Sequence, residues 1–243
     1  MTRNQLWASL VRDKRHGPLA GILILLTLVA GDVDATSILR IDHVFVANVT
    51  GNVIFIGLAL VGARGFSFTA PFLVLVSFLL GAATSARVLL NRTTHRGRIA
   101  HAACVVQLSD LVIVTVIYAI RDHPDADLRF ALLVALALGM GAKSALARAA
   151  NVPGLTSAVV TTTLTGLASD AALGSSRSAD FSVRVIAVVA LLVGAVGGGA
   201  LAVTTYTWCP LALATAITLL ATWWSRHASN SSEGWTSGSS LRS

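Results

Sequence analysis

The chain has 243 residues, 55% of them hydrophobic and 12% charged, with a mean hydropathy of +0.76, a balance that excludes an ordinary water-soluble domain. The formal charge of +7 does not point to nucleic acid, because Arg and Lys collect in short loops beside apolar runs, as they do at the cytoplasmic ends of membrane helices. Cys104 and Cys209 lie in or beside apolar segments without a CxxC or Cys/His pattern, which excludes a disulfide scaffold and a zinc site.

Residues 1–17 are polar and basic, with Arg3, Arg12, Lys14 and Arg15, and are expected in the cytoplasm. Pro18 opens the first helix, where its missing N–H costs nothing. That helix runs through GDVDATSIL to Leu39, too far for a cleaved signal peptide. Apolar runs follow at Pro71–Leu90, Ala100–Ile120, Leu128–Ala147, Val183–Thr205 and Pro210–Trp224, each near the roughly 20 residues that cross a bilayer. Their Ala, Leu, Val and Gly content predicts thin, closely packed helices. Trp208, Trp223 and Trp224 flank the last run as interfacial aromatics do, and residues 225–243, rich in Ser and Gly, read as a disordered tail.

Two further apolar segments contain a Thr-Gly pair: Val44–Leu60 (VFVANVTGNVIFIGLAL) and Leu155–Leu173 (LTSAVVTTTLTGLASDAAL). If both spanned, the basic loop 91–98 would lie outside while the N-terminus lies inside, against the positive-inside rule. If both enter and leave on one side, that loop is cytoplasmic and the acidic loop 121–127 external. The expected fold is therefore an all-α polytopic transmembrane helix bundle of about six spans plus two re-entrant or broken helices.

The membrane domain, 18–224, reads as two repeats, about 18–120 and 128–224. Gly31–Arg40 (GDVDATSILR) matches Gly139–Arg148 (GMGAKSALAR) without gaps. A Thr-Gly segment follows each, and then a helix with a Gly-Ala core, LLGAATSA from Leu79 and LVGAVGGGA from Leu192. With three spans each, the halves would be inverted, a common transporter design with discontinuous helices meeting near the midplane.

The residues expected to meet a substrate are Asn48, Thr50, Gly51 and Asn52 in the first half and Thr161, Thr165 and Gly166 in the second. Asn48 and Asn52 share a helix face and offer amide donors and acceptors, and a break at Thr50-Gly51 would free backbone N–H groups. The same polar groups also suit interhelical glue, and the sequence leaves both readings open. Asp34, Asp110 and Lys143 are the candidates for ion or proton coupling, because a charge near a helix centre costs about 2.5–3.5 kcal/mol on insertion scales and so usually pairs or works. Asp110, one turn from Gln107, has as its alternative an ion pair with Lys143 or Arg87. Asp32 and Asp34 lie where the first apolar run ends, and one of them, like Asp170 near the end of its own segment, reaches an interface on this reading. His43 and His101 lack ligand spacing, and no nucleophile, zinc or phosphate-loop motif is present, so no metal, cofactor or enzymatic role is expected.

GDVDA at Gly31–Ala35 followed by VFVANVTGN at Val44–Asn52, with VPG at Val152–Gly154 and LTG at Leu164–Gly166, resembles the YoaK-like family of bacterial multi-pass membrane proteins. Its defining domain has no established function, so the resemblance transfers no catalytic residue. It implies an inner-membrane chain of about six spans. The family pattern has Gln-Asn where this chain has Lys143-Ser144, which replaces a neutral amide with a cation and argues against transferring a neutral binding role.

These features point to a small inner-membrane secondary transporter or permease whose partners are the lipid bilayer and a small-molecule or ion substrate. The alternative is a non-transporting membrane protein with a structural or partner-binding role. Whether copies form a homo-oligomer is left open.

Overall fold

A computed structural model describes residues 18–90, 93–121, 123–150, 165 and 178–230. Among them are seven α-helices and no strand. They are α1 (Leu19–Thr36), α2 (Thr50–Leu60), α3 (Thr69–Ser85), α4 (Arg96–Ile120), α5 (Ala126–Ala149), α6 (Ser178–Thr204) and α7 (Trp208–Ser229). α1 and α3 each continue into a π-helical turn, Ser37–Ile41 and Ala86–Leu90. Six of the seven are long and apolar enough to cross a membrane, and only α2 is too short. At 11 residues, α2 rises about 16 Å, roughly half a hydrocarbon core.

Helix is the only open structure that satisfies every backbone group in lipid, and the ends are closed by identifiable groups. The Asp125 carboxylate accepts from Leu128 N–H at 2.9 Å at the start of α5. The Arg40 guanidinium donates to Thr205 O at 2.8 Å and to Ala202 O at the end of α6, and Arg96 donates to Ala150 O at 2.7 Å at the end of α5. α7 extends to Ser229, five residues past the boundary expected from composition. Packing holds this extra turn: Ser225 Oγ lies 2.8 Å from His101 Nδ1, and Gly97 admits the Ala228 carbonyl.

α1 and α5 are the most buried helices, whereas α3, α4, α6 and α7 present apolar side chains such as Leu79, Ile113, Leu192 and Leu220 to the outside. Such a band on an otherwise packed bundle is what lipid contact requires. Close packing relies on glycine at the crossings. Gly31 lies against the Leu191 carbonyl and Gly194 against that of Leu28, joining α1 to α6; Gly81 lies against Leu138 O and Gly141 against Phe78 O, joining α3 to α5. A Cβ at any of these four positions collides with backbone. Gly31→Ala or Gly81→Ala is expected to cost about 1–3 kcal/mol in thermal unfolding of the detergent-purified protein. Gly57→Ala, with open space around it, should be neutral or gain up to about 1 kcal/mol.

These contacts fix the helix directions. α1 is parallel to α6 and α3 to α5. α4 is antiparallel to α7, through Thr115 with Thr215 at 3.0 Å and His101 with Ser225, and antiparallel to α5, through Asp110 beside Gly139 and Arg96 on Ala150. Gly21 near the start of α1 meets Trp224 near the end of α7. α1 and α3 consequently run in opposite directions, so residues 42–68 leave and return on one face, and the first Thr-Gly segment does not cross.

Candidate functional site

That first segment is a broken helix held by Asp34. Residues 42–49 form a loop, entered through His43 at φ 53°, and α2 begins at Thr50. Asp34 Oδ1 accepts from the backbone N–H groups of Val46 at 2.8 Å and Ala47 at 2.7 Å. Its Oδ2 accepts from Asn48 N at 3.0 Å and Asn48 Nδ2 at 2.6 Å. All four contacts donate to the carboxylate, so neither oxygen can take a proton without losing a partner. Asn52, fully buried, donates from Nδ2 to Phe45 O at 2.7 Å and accepts from Phe45 N at 2.9 Å. Gly51 is where the Phe45 ring packs, and Phe45 stacks on Phe55 at 5.7 Å. Thr50 is exposed at the first turn of α2.

The structure thus brings Asp34, Asn48, Asn52 and Gly51 into one loop-closing device whose side-chain amides are occupied by the protein itself. In the second segment only Thr165 is described, as an exposed helical residue. Thr161 and Gly166 lie outside the described residues.

A separate polar ladder runs between α4 and α5. The Asp110 carboxylate fills the space where a Cβ of Gly139 would sit. One helical turn along, Lys143 of α5 lies within electrostatic reach of Cys104 of α4 and of Asp34. Gln107 belongs to the buried stripe Cys104, Gln107, Leu111, Val114, so the antiparallel register sets it between the levels of Asp110 and Lys143. Gln107 is 1% and Lys143 2% exposed. Neither polar atom of Gln107 has a partner, nor does Asp110 Oδ2. Among the described residues Lys143 makes no hydrogen bond or ion pair, so Asp110 does not close onto it. Asp32, on the α1–α6 interface, bonds Thr36 at 3.3 Å through Oδ1, packs on Gly198, and leaves Oδ2 without a partner; the Ser37 hydroxyl is likewise buried and unpartnered. Sequence reasoning does not single out Gln107 or Ser37 as site residues. A signal for Gln107 exists all the same, since it sits at core spacing within a lipid-depth helix.

Beyond the spans, Asp42 is half-buried, and burial raises its carboxyl above the ordinary 3.8, with the nearby charges of Arg129 and His43 opposing. The folded carboxyl holds its proton more tightly than the unfolded one. Its contribution is therefore most favourable below the unfolded pKa and declines as pH rises above it. Asp42→Asn should flatten that decline and be neutral or stabilising at pH 7, as read from melting temperature against pH.

No solved structure matches this chain. It is similar to the UPF0700 transmembrane protein YoaK of Bacillus subtilis (strain 168), 27% identical over 150 residues, 61% of this chain. The match spans 65% of that protein's length, so the whole relative's role does not carry over. The family model described as "Protein of unknown function (DUF1275)" matches residues 22–224. Six apolar helices of crossing length and a family match over most of the membrane domain lead to one conclusion: the chain is a multi-pass membrane protein that belongs to the DUF1275 family.

Proposed function

We propose that the protein is a small secondary transporter or permease of the bacterial cytoplasmic membrane, with its substrate path along the α4–α5 ladder. One observation carries this reading: Gln107 and Asp110 Oδ2 are buried at membrane depth without partners. An unpaired buried polar group costs about 1–3 kcal/mol, and a visiting ligand that met three such atoms on neighbouring turns would recover that cost.

The arrangement of the halves supports the same reading. Exchanging α1 with α5, α3 with α6 and α4 with α7 converts the α1–α6 packing into the α5–α3 packing and leaves α4–α7 on itself. The contacts Gly31–Leu191 and Leu28–Gly194 then correspond to Gly141–Phe78 and Leu138–Gly81. Asp32 against Gly198 corresponds to Ala142 against Ser85, whose hydroxyl donates to Ala142 O at 3.3 Å. We read this as the inverted repeat, with Gly31 equivalent to Gly141, two residues from the ungapped sequence match. Asp34 then corresponds to Ser144. One end of the bundle gathers Arg87, Arg96, Arg98, Arg148 and Arg226; the other mixes Arg40, Arg64, Arg121 and Arg129 with Asp42, Asp125 and Asp127. The positive-inside rule puts the first end, with the N-terminus, in the cytoplasm. A reporter fused at Gly65 should then read external; a cytoplasmic signal would overturn this orientation.

The second reading, a non-transporting protein, draws on Asn48 and Asn52, which serve as glue. A panel of metabolites and ions added to the purified protein separates the two. A transporter's substrate at a hundred times its dissociation constant should add about 2.7 kcal/mol, and the same compound should accumulate in proteoliposomes beyond protein-free vesicles. Silence across the panel together with no uptake favours the structural role.

A further inference from the structure

We infer that Asp32 is a proton-binding site at membrane depth, its carboxyl neutral while α1 and α6 are packed together and its Oδ2 the atom that gains and gives up the proton. The inference rests on the transporter reading and supplies its coupling ion, taken up at the α1–α6 crossing rather than on the α4–α5 ladder.

Two aspartates two residues apart on α1 meet opposite surroundings. Asp34 accepts four hydrogen bonds, as a carboxylate can. Asp32 is 0% exposed and accepts one long contact, from Thr36 Oγ1 to Oδ1 at 3.3 Å, while Oδ2 has no partner. It lies in the middle of the span Leu19–Ile41, about 20 Å from its start and about 14 Å from its end. No charge offsets it there. α6 carries no titratable residue between Val185 and Thr204. α7 has Cys209, Arg226 and His227 near its ends, α4 holds Cys104 beside Lys143 and Asp110 beside Gly139, and Arg40 is engaged by the Ala202 and Thr205 carbonyls. None of these groups, nor Asp34 on the same helix, bears electrostatically on Asp32.

A buried carboxylate without a partner is resolved by neutralisation, and a proton is the cation these surroundings fit. Metal cations such as Ca2+ and Mg2+ take six or more oxygen ligands. Here the facing residue is Gly198, whose missing side chain makes room for the carboxyl and offers no oxygen, and Ala195 and Ala202 one turn to either side are apolar. With Thr36 donating to Oδ1, that atom is the carbonyl oxygen and Oδ2 carries the proton. The corresponding crossing in the other half sets Ser85 against Ala142 and holds no titratable group, so proton release acts on one crossing of the pair. An ionised Asp32 cannot stay in this apolar contact; α1 and α6 must part, or admit water, for the proton to leave. Binding with the crossing closed and release with it open ties proton movement to the rocking of one half against the other.

The test is infrared difference spectroscopy of the full-length protein in proteoliposomes, parent minus Asp32→Asn, at neutral pH. The expected result is the carbonyl band of a protonated carboxyl, shifted on exchange into heavy water and lost in Asp32→Asn. In Thr36→Val, which removes the one hydrogen bond to Oδ1, the same band should move to higher frequency, a comparison that stands even where Asp32→Asn fails to fold. Melting temperature is the second readout. The folded state keeps a proton that the unfolded carboxyl has released, so raising pH from about 6 to about 9 should favour unfolding of the parent over Asp32→Asn by up to about tenfold per pH unit. A carboxylate band from Asp32 at neutral pH would overturn the inference, as would parallel pH profiles for the parent and Asp32→Asn. Stabilisation by Na+ that Asp32→Asn abolishes would also overturn it, in favour of a metal cation. A protonated Asp32 in a protein that takes up no compound would overturn transport and leave the proton site standing. Uptake by a protein whose Asp32 is ionised throughout would do the reverse.

Discussion

Asp34→Asn is expected to destabilise the protein by about 3 kcal/mol, the upper end of the cost of losing a hydrogen bond to a buried charged group. The substitution keeps the shape and replaces one acceptor oxygen with an NH2 group that points at N–H donors. At least one of the contacts from Val46, Ala47 and Asn48 is lost and a donor now opposes a donor. The loss falls on the loop that shapes the first re-entrant segment, so it has a local signature as well. Ala47 is buried. In an Ala47→Cys background, a membrane-permeant maleimide should react slowly with the parent and much faster once Asp34 is replaced. Unchanged melting and unchanged reactivity would mean that Asp34 does not clamp the loop.

Lys143→Met should act in the opposite direction and raise stability by about 2–3 kcal/mol, the cost of holding a cation within a membrane helix. For a chain of this size that is roughly 5–10 °C in melting temperature. Lys143 is 2% exposed and, among the described residues, has no hydrogen bond or ion pair to lose. Met fills a similar volume and brings no charge. A protein that becomes more stable while losing ligand binding has given up a site residue, because functional groups are commonly held at the expense of stability. A strong destabilisation would instead mean that Lys143 balances Asp34 electrostatically and belongs to the scaffold.

Asp34 and Asp110 mark the boundary between what a sequence discloses and what only tertiary contacts decide. Apolar runs of crossing length follow directly from hydropathy, and the six spans emerge close to where composition puts them, because in lipid the backbone has no other way to satisfy itself. The alternation of the spans relative to one another is what the arginine distribution favours. Partnership is not. One aspartate ends an apolar run and the other sits inside one, and both are anomalous by sequence, yet Asp34 is consumed by a loop 12 to 14 residues downstream and Asp110 faces a glycine on a neighbouring helix. No local pattern encodes that difference. Asn48 and Asn52 share a helical spacing that suggests a common binding face. The chain breaks there, however, and Asn48 turns to Asp34 while Asn52 turns to the Phe45 backbone. In the repeat we propose, the glycines carry the correspondence, whereas Arg40 and Arg148 pull the ungapped match two residues out of register. Close approach at a crossing constrains Gly31 and Gly141, whereas arginines at helix ends are placed by the interface and tolerate a shift of half a turn.

The most direct measurement is the accessibility of Gln107 from the two sides of the membrane. A Gln107→Cys variant, with Cys104 replaced by Ala and Cys209 by Ser, would be treated with a membrane-impermeant thiol reagent in right-side-out and in inverted vesicles. A permease with its path along the α4–α5 ladder predicts labelling from both sides, slowed by a bound substrate. Protection from both sides, at the level of a buried core cysteine, would contradict transport through this ladder.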